Sequence, residues 1–223
     1  MIDTNLINLL RKSEIVENLD SQETKDKVLD IYNNELKPEL DKNDNAAGLS
    51  AIQVGIPLRI FVIRNPGGND KIYINPSYTP VFKKNGVSKK ISDTESCLSF
   101  PDIFCLVERY KKLYINGYQL LNNEIVRIKK ETIIDGFEAI VFQHEYDHLE
   151  GITILQKAQR LAIGETDVNI KKIFLLEDVD DYIIEKESET IFKKIQYNLQ
   201  TKDHYAIGIK NCKQNQDTED KIS

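Results

Sequence analysis

Two of the chain's three histidines stand one helical turn apart in the run His144-Glu145-Tyr146-Asp147-His148. On an α-helix this spacing aims both imidazoles at one metal ion and lets the intervening Glu145 reach a water held there. The pattern constrains the fold as much as the chemistry, because it works only on a helix presented to the interior. Flanking residues supply such a helix. Asp135 with Glu138 three positions on has capping-box spacing, and Gly151 suits the left-handed residue past a helix end, which predicts about four turns between them. Phe137, Ile140, Val141, His144 and His148 recur at helical intervals, so an apolar face is expected to run directly into the two histidines.

What precedes this helix reads mostly as antiparallel β. Segments rich in branched and aromatic residues occupy 59–63, 71–75 and 78–84. Asn85-Gly86, between the last of these and 87–91, is a hairpin signal, since a type I′ turn needs positive φ at both central positions. Residues 113–121 and 124–128 form a second predicted hairpin about Asn122-Asn123, with Gly117 placed for a bulge. Nearer the start, Ser21 is a fair N-cap for a helix over 21–37, in which Val28, Ile31, Tyr32 and Leu36 share one face and Pro38 ends the run. The expected class is α+β, mostly antiparallel sheets wrapped around a central helix. Beyond Leu155 a strand is predicted at 169–176, a helix at 187–199, a strand at 205–209 and a frayed polar tail over 210–223. The expected domains are a catalytic unit over 1–160 and an accessory segment over 161–209, followed by that tail.

With 36 acidic against 30 basic residues the formal net charge is −6, which offers no footprint for reading nucleic acid. No apolar run approaches the roughly eighteen residues needed to cross a bilayer, and the start lacks the basic and apolar stretches of a secretory signal. A cytoplasmic protein without a membrane partner is expected. There the three cysteines, Cys97, Cys105 and Cys212, suggest ligands, nucleophiles or buried thiols before disulfides.

A catalytic metal needs a third protein ligand and one open position. Ile154 stands where metzincin proteases place a third histidine, so that route is closed. Glu165, Glu177 and Glu185 lie downstream, with nothing in their setting to mark one out, and His204 sits beside the weakly structured end. Upstream, the extended segment Glu95-Ser96-Cys97-Leu98-Ser99 could present a thiolate and its neighbouring N–H together. One cysteine with two histidines is an open ligand set suited to Zn or Fe(II).

Three separated segments together resemble the signature motifs of the peptide deformylase family. The first, G-x-G-L-A-A-x-Q, is similar to Ala46-Ala47-Gly48-Leu49-Ser50-Ala51-Ile52-Gln53. The second, E-G-C-L-S, is similar to Glu95 through Ser99, and the third, H-E-x-D-H, is matched in full by His144 to His148. The resemblance covers roughly residues 25 to 155, in the same order and at similar spacing. It implies removal of the N-formyl group from the N-terminal methionine of newly made polypeptides, releasing formate. The metal would be held by Cys97, His144 and His148, with Fe²⁺ implied by the family and Zn²⁺, Ni²⁺ or Co²⁺ able to substitute. Glu145 would move the proton, while the Gln53 amide and the Leu98 N–H would donate to the oxyanion. Gly48, Leu49, Phe137, Ile140 and Val141 would meet the substrate, the last three around the methionine side chain. Arg109 would pair with Glu95 and brace the cysteine segment, and Asp147 would orient a ligand histidine. N-formylated nascent peptides are the implied partners, with ribosome docking an open possibility.

Departures from the pattern fall at Ala46, Ser50 and Ser96, and Phe104 stands where many members carry a substrate-contacting arginine. None removes a ligand, and Ser96 and Phe104 bear on which peptide is preferred. The stretch before Ser21 and everything after about Leu155 lack the family's usual sequence. Two other readings stay open, an HExxH endopeptidase using a downstream glutamate and a silent relative that keeps the metal and binds peptides. Cys97→Ala separates the first of these from the deformylase reading. It should abolish metal binding, measured by metal content after purification, and a fully metallated variant would move the third ligand downstream.

Overall fold

The computed structural model describes residues 1–3, 6–65, 67–84, 86–163 and 166–168. The elements expected at 169–176, 187–199 and 205–209, and the tail after them, lie outside these residues. Among the described residues no helix is long and apolar enough to cross a membrane.

Two antiparallel sheets carry the molecule. The first contains β1 (Gly48–Ser50), β2 (Ile60–Ile63), β3 (Lys71–Pro80), β6 (Lys112–Leu121) and β7 (Glu124–Arg127) in that spatial order, with β8 (Ile133–Asp135) also paired to β6. The second runs in the order β10 (Thr166–Val168), β9 (Ala158–Ile163), β5 (Phe100–Tyr110), β4 (Lys90–Cys97). Side chains of the first sheet alternate between two cores, as a period of two requires. Ile60, Val62, Ile72 and Ile74 face Val28, Ile31, Leu36 and Leu40 of the N-terminal helical segments. Phe61, Ile63 and Tyr73 face Phe142 and Leu149 of α4 (Gly136–Leu149) on the other side. The rings of Phe61, Tyr73 and Phe142 lie 5.0 to 5.1 Å apart, centroid to centroid, in tilted and edge-on pairs, the arrangement aromatic quadrupoles favour.

Because α4 packs against both sheets, it is buried around almost its whole circumference, Ala139 to Glu145 and Asp147 to Leu149 included. This corrects the expectation of one apolar face, and Phe137, in the first turn, is 68% exposed. The predicted capping box at its start does not form either. Asp135 makes no side-chain cap, and Glu138 is taken by Lys71 Nζ at 2.6 Å and the Tyr73 hydroxyl at 3.1 Å. Gly151 is left-handed as expected, with φ +72°.

Three other expectations change. The helix over 21–37 begins on the Ser21 cap as α2 (Gln22–Asp30), but passes through a π-helical stretch, Ile31–Leu36, into α3 (Lys37–Asp41). Pro38 sits in the first turn of α3, where a missing N–H costs nothing, so it continues the helical path. The strand expected at 71–75 and the first three residues of that expected at 78–84 form the single strand β3, which ends at Pro80 and is bent where Asn75 and Pro76 stand opposite Gly117 of β6. Gly117 does mark the bulge, but the extra residue belongs to β3. At Gly86 only a Phe82–Ser88 bridge forms, because the chain then leaves for the second sheet and β4 pairs with β5; Asn85 lies outside the described residues. The turn at Asn122-Asn123 forms as expected, with φ of 51° and 64°.

A short helix, α5 (Ile154–Lys157), follows Gly151 and packs Ile154 and Leu155 on β5 residues Ile103, Cys105 and Val107. The N-terminal helix α1 (Leu6–Leu9) adds Leu9 to this core. A side chain at Gly151 would put its Cβ 2.3 Å from the Leu10 carbonyl oxygen. Gly151→Ala is therefore expected to cost about 2–3 kcal/mol from left-handed strain and backbone collision, seen as a lower midpoint in urea denaturation.

Candidate metal centre

Strand alternation builds one wall of the site. In β4, Glu95 and Cys97 point inward while Ser96 is exposed, and a register shift after Ser96 sets Cys97 opposite Phe100, leaving Leu98 and Ser99 as the turn. The other wall is α4. Its spacing brings His144 and His148 to the cysteine, with His148 Nε2 3.3 Å from Cys97 Sγ. One ligand atom from each of Cys97, His144 and His148 falls within 4.8 Å of the others. Among the described residues no downstream glutamate joins this group; Glu165, Glu177, Glu185 and His204 lie outside them.

Behind the ligands stands a buried ionic chain. Arg109, on β5, donates from Nε and Nη2 to the two Glu95 carboxylate oxygens at 2.7 and 2.8 Å, a bidentate pair. Glu95 Oε2 also meets His144 Nδ1 at 2.8 Å, fixing the ring so that Nε2 is free to bind a metal. Arg109 Nη1 bonds to Asp147, which Lys157 approaches at 3.8 Å. Asp147 thus points to β5, and Glu95 does the orienting expected of Asp147. Burial would raise the Glu95 pKa, but Arg109 and then His144 hold it down to about 2.

These residues fit a divalent ion. Burial, and then His144 beside it, push the His148 pKa well below its ordinary value, keeping the ring neutral as a ligand must be. Burial also opposes charge on His144, yet hydrogen bonds to Cys97 and Glu95 draw a proton onto it and raise its pKa. A metal ion would supply that positive charge instead.

Two polar side chains face the same place. Gln53 lies in the 3₁₀ turn Ala51–Val54 after β1. Its Oε1 accepts the Ser50 N–H at 2.9 Å, which turns Nε2 toward Ser99 Oγ at 3.2 Å and Cys97 Sγ at 3.4 Å. Glu145 is buried, and burial raises its pKa against the opposing effects of His144 and of a Ser50 hydrogen bond. Ser50 and Ser99 are site residues whose contacts the sequence reading missed. The signal for Ser50 was a hydroxyl in the apolar run between Leu49 and Ile52.

The polypeptide deformylase family model matches residues 3–163. This chain belongs to that family. The match begins well before Ser21 and passes Leu155, so both flanks of the motif region are family sequence. A peptide deformylase of Thermotoga petrophila is 36% identical over 131 residues, 57% of this chain and 73% of the relative. That of Aquifex aeolicus is 34% identical over 154 residues, 67% and 80% of the two chains. The crystal structure of a peptide deformylase from Thermotoga maritima superposes with a TM-score of 0.55 at 29% identity, covering 71% of this chain and 97% of that one. The α+β fold is the family's, and the chain is a metal-dependent hydrolase of that family.

Around the deformylase ligand cluster, the expected substrate residues divide. A Cβ on Gly48 would lie 2.7 Å from Glu145 Oε1 and 2.9 Å from a Val141 methyl, so a bare glycine lets β1 lie against α4. Leu49 is fully buried among the N-terminal helical segments, leaving only its backbone to meet a ligand. Ile140 and Val141 are buried, whereas Phe137 lines a cleft of about 340 Å³ whose lining residues are mostly polar, with Asp44, Asn45, Arg64, Lys71 and Glu138 around Ala46 and Ala47. Leu98 is half-buried at the turn after Cys97, and Ser96 and Phe104 are cross-strand partners on the exposed side of β4 and β5.

Removing Arg109 would strand two buried carboxylates. Arg109→Leu should cost about 3–5 kcal/mol in denaturant unfolding of the metal-loaded protein and loosen the metal as His144 loses its brace. Unchanged unfolding and unchanged metal retention would contradict this account of the ionic chain.

Proposed function

We propose that this chain removes the formyl group from the N-terminal methionine of newly made polypeptides by hydrolysis of the formamide. The carrying observation is the convergence of Cys97, His144 and His148 with Glu145 and Gln53, two tools a purely structural metal site does not need. Bound to the three ligands, an iron(II) or zinc ion would lower the pKa of a water and polarise the formyl oxygen. Glu145 takes the proton as the water oxygen adds to the formyl carbon, then delivers it to the peptide nitrogen as the C–N bond breaks. Formate and a free amine result. The Gln53 amide, aimed by the Ser50 N–H, and the Leu98 N–H donate to the oxyanion formed in between, each worth a few kcal/mol. In this reading the methionine side chain lies toward Phe137, Ile140 and Val141, and the exposed Ser96 edge lies open to the peptide backbone.

Iron(II) is the native ion in this reading, on the family likeness; the Cys/His/His donors accept zinc equally well by geometry. Residues 1–160 are the catalytic unit, in line with a family match that reaches residue 163.

Anaerobically iron-loaded protein, or protein loaded with nickel or cobalt, should release formate from a formyl-methionyl peptide. Glu145→Gln should lower kcat by about 100-fold or more while retaining its metal, and chelation should abolish turnover reversibly. Absence of turnover with every metal, in protein shown to hold one, would defeat the proposal.

A further inference from the structure

Ser50 occupies a position where the family motif carries alanine, and it is fully buried. Its hydroxyl lies 2.6 Å from Glu145 Oε2 and 3.1 Å from the Glu145 backbone oxygen. The shorter contact is at the close end of the range for an O–H···O hydrogen bond. The same residue's N–H holds Gln53 Oε1, a contact any residue type would make. Only the hydroxyl is particular to serine. A buried glutamate has rotamers to choose from, and its neighbours restrict them unevenly. On the other side Gly48 lies close to Oε1, where a Cβ would stand at 2.7 Å, so the Ser50 hydroxyl is the polar contact the structure places on Oε2.

We propose that Ser50 is a positioning residue for the reaction, its hydroxyl anchoring Oε2 so that the Glu145 carboxylate stays in one rotamer for proton transfer. The inference rests on the deformylase reading for its kinetic consequence, but not for its structural one. A space-filling serine would affect stability alone; an anchor affects turnover without affecting substrate binding or metal content.

The experiment compares wild type, Ser50→Ala and Ser50→Thr. Alanine fits the family pattern, so Ser50→Ala is expected to fold and keep its metal. On a formyl-methionyl peptide its kcat should fall about tenfold, with KM within about twofold. Ser50→Thr, which keeps the hydroxyl, should recover most of the loss. In crystals of the zinc-loaded proteins, Glu145 should hold one rotamer on Ser50 in wild type and spread over several in Ser50→Ala. An unchanged kcat in Ser50→Ala, or a Glu145 side chain that keeps its place without the hydroxyl, overturns the proposal. Should the wild type fail to deformylate at all, that defeats the function proposed above, while the Glu145 rotamer in the two crystals still decides the role of Ser50.

Discussion

The geometry of the metal centre depends on the Arg109 guanidinium held between Glu95 and Asp147. Glu95 stands two residues before Cys97 on β4, Arg109 is on β5 and Asp147 adjoins His148 on α4. One buried cation therefore ties the strand that carries the sulfur to the helix that carries the imidazoles. Such a cluster is a poor source of stability, since taking three charges out of water costs as much as their attraction returns. Its value is directional. A planar fork bonded in bidentate fashion admits one orientation of its partners, and Glu95 passes that orientation on to the His144 ring.

The charges also do not cancel. Glu95 and Asp147 outnumber Arg109, and the nearest further cation, Lys157, stays 3.8 Å away and is itself partly exposed. A coordinating thiolate would deepen the deficit. This explains why His144 is drawn toward its protonated form by Cys97 and Glu95 despite burial, and why a divalent ion suits the place. Metal binding and closure of the two walls should thus be coupled, because the ligands come from elements brought together only by the tertiary fold.

The legible parts of the sequence were those with short-range physics behind them. His144, Glu145 and His148 declare a helix by their spacing, and Asn122-Asn123 declares a turn by its tolerance of positive φ. Cys97 became a ligand candidate only by elimination and by likeness of motif, since no local rule links it to a histidine 47 positions away. What could not be read was decided by partners. Glu138 left the capping box because Lys71 and Tyr73 offered it more. Glu95 keeps its expected pair with Arg109 and takes on His144 as well, while Asp147 turns to Arg109, because β5 places Arg109 between them. Pro38 reads as a stop when only the residues before it are considered, and as a start once α3 exists to accept it. The apolar stripe on α4 was an incomplete reading, because a helix gripped by two sheets has no solvent face to mark.

The departures from the family pattern sort by the direction in which each side chain points. Ser96 and Phe104 are cross-strand neighbours on the open side of the second sheet, away from Glu95 and Cys97, and Ala46 lines the cleft beside Phe137. Ser96 and Phe104 thus lie on the face opposite the one that carries Cys97 and the Arg109 clamp. Ser50 differs in kind, since its side chain turns inward onto Glu145. A residue that holds Glu145 through its hydroxyl and Gln53 through its N–H links two polar side chains that face the candidate metal site. Strand alternation sends Ser96 and Cys97 to opposite faces of β4, so the change at Ser96 leaves the ligand beside it in place.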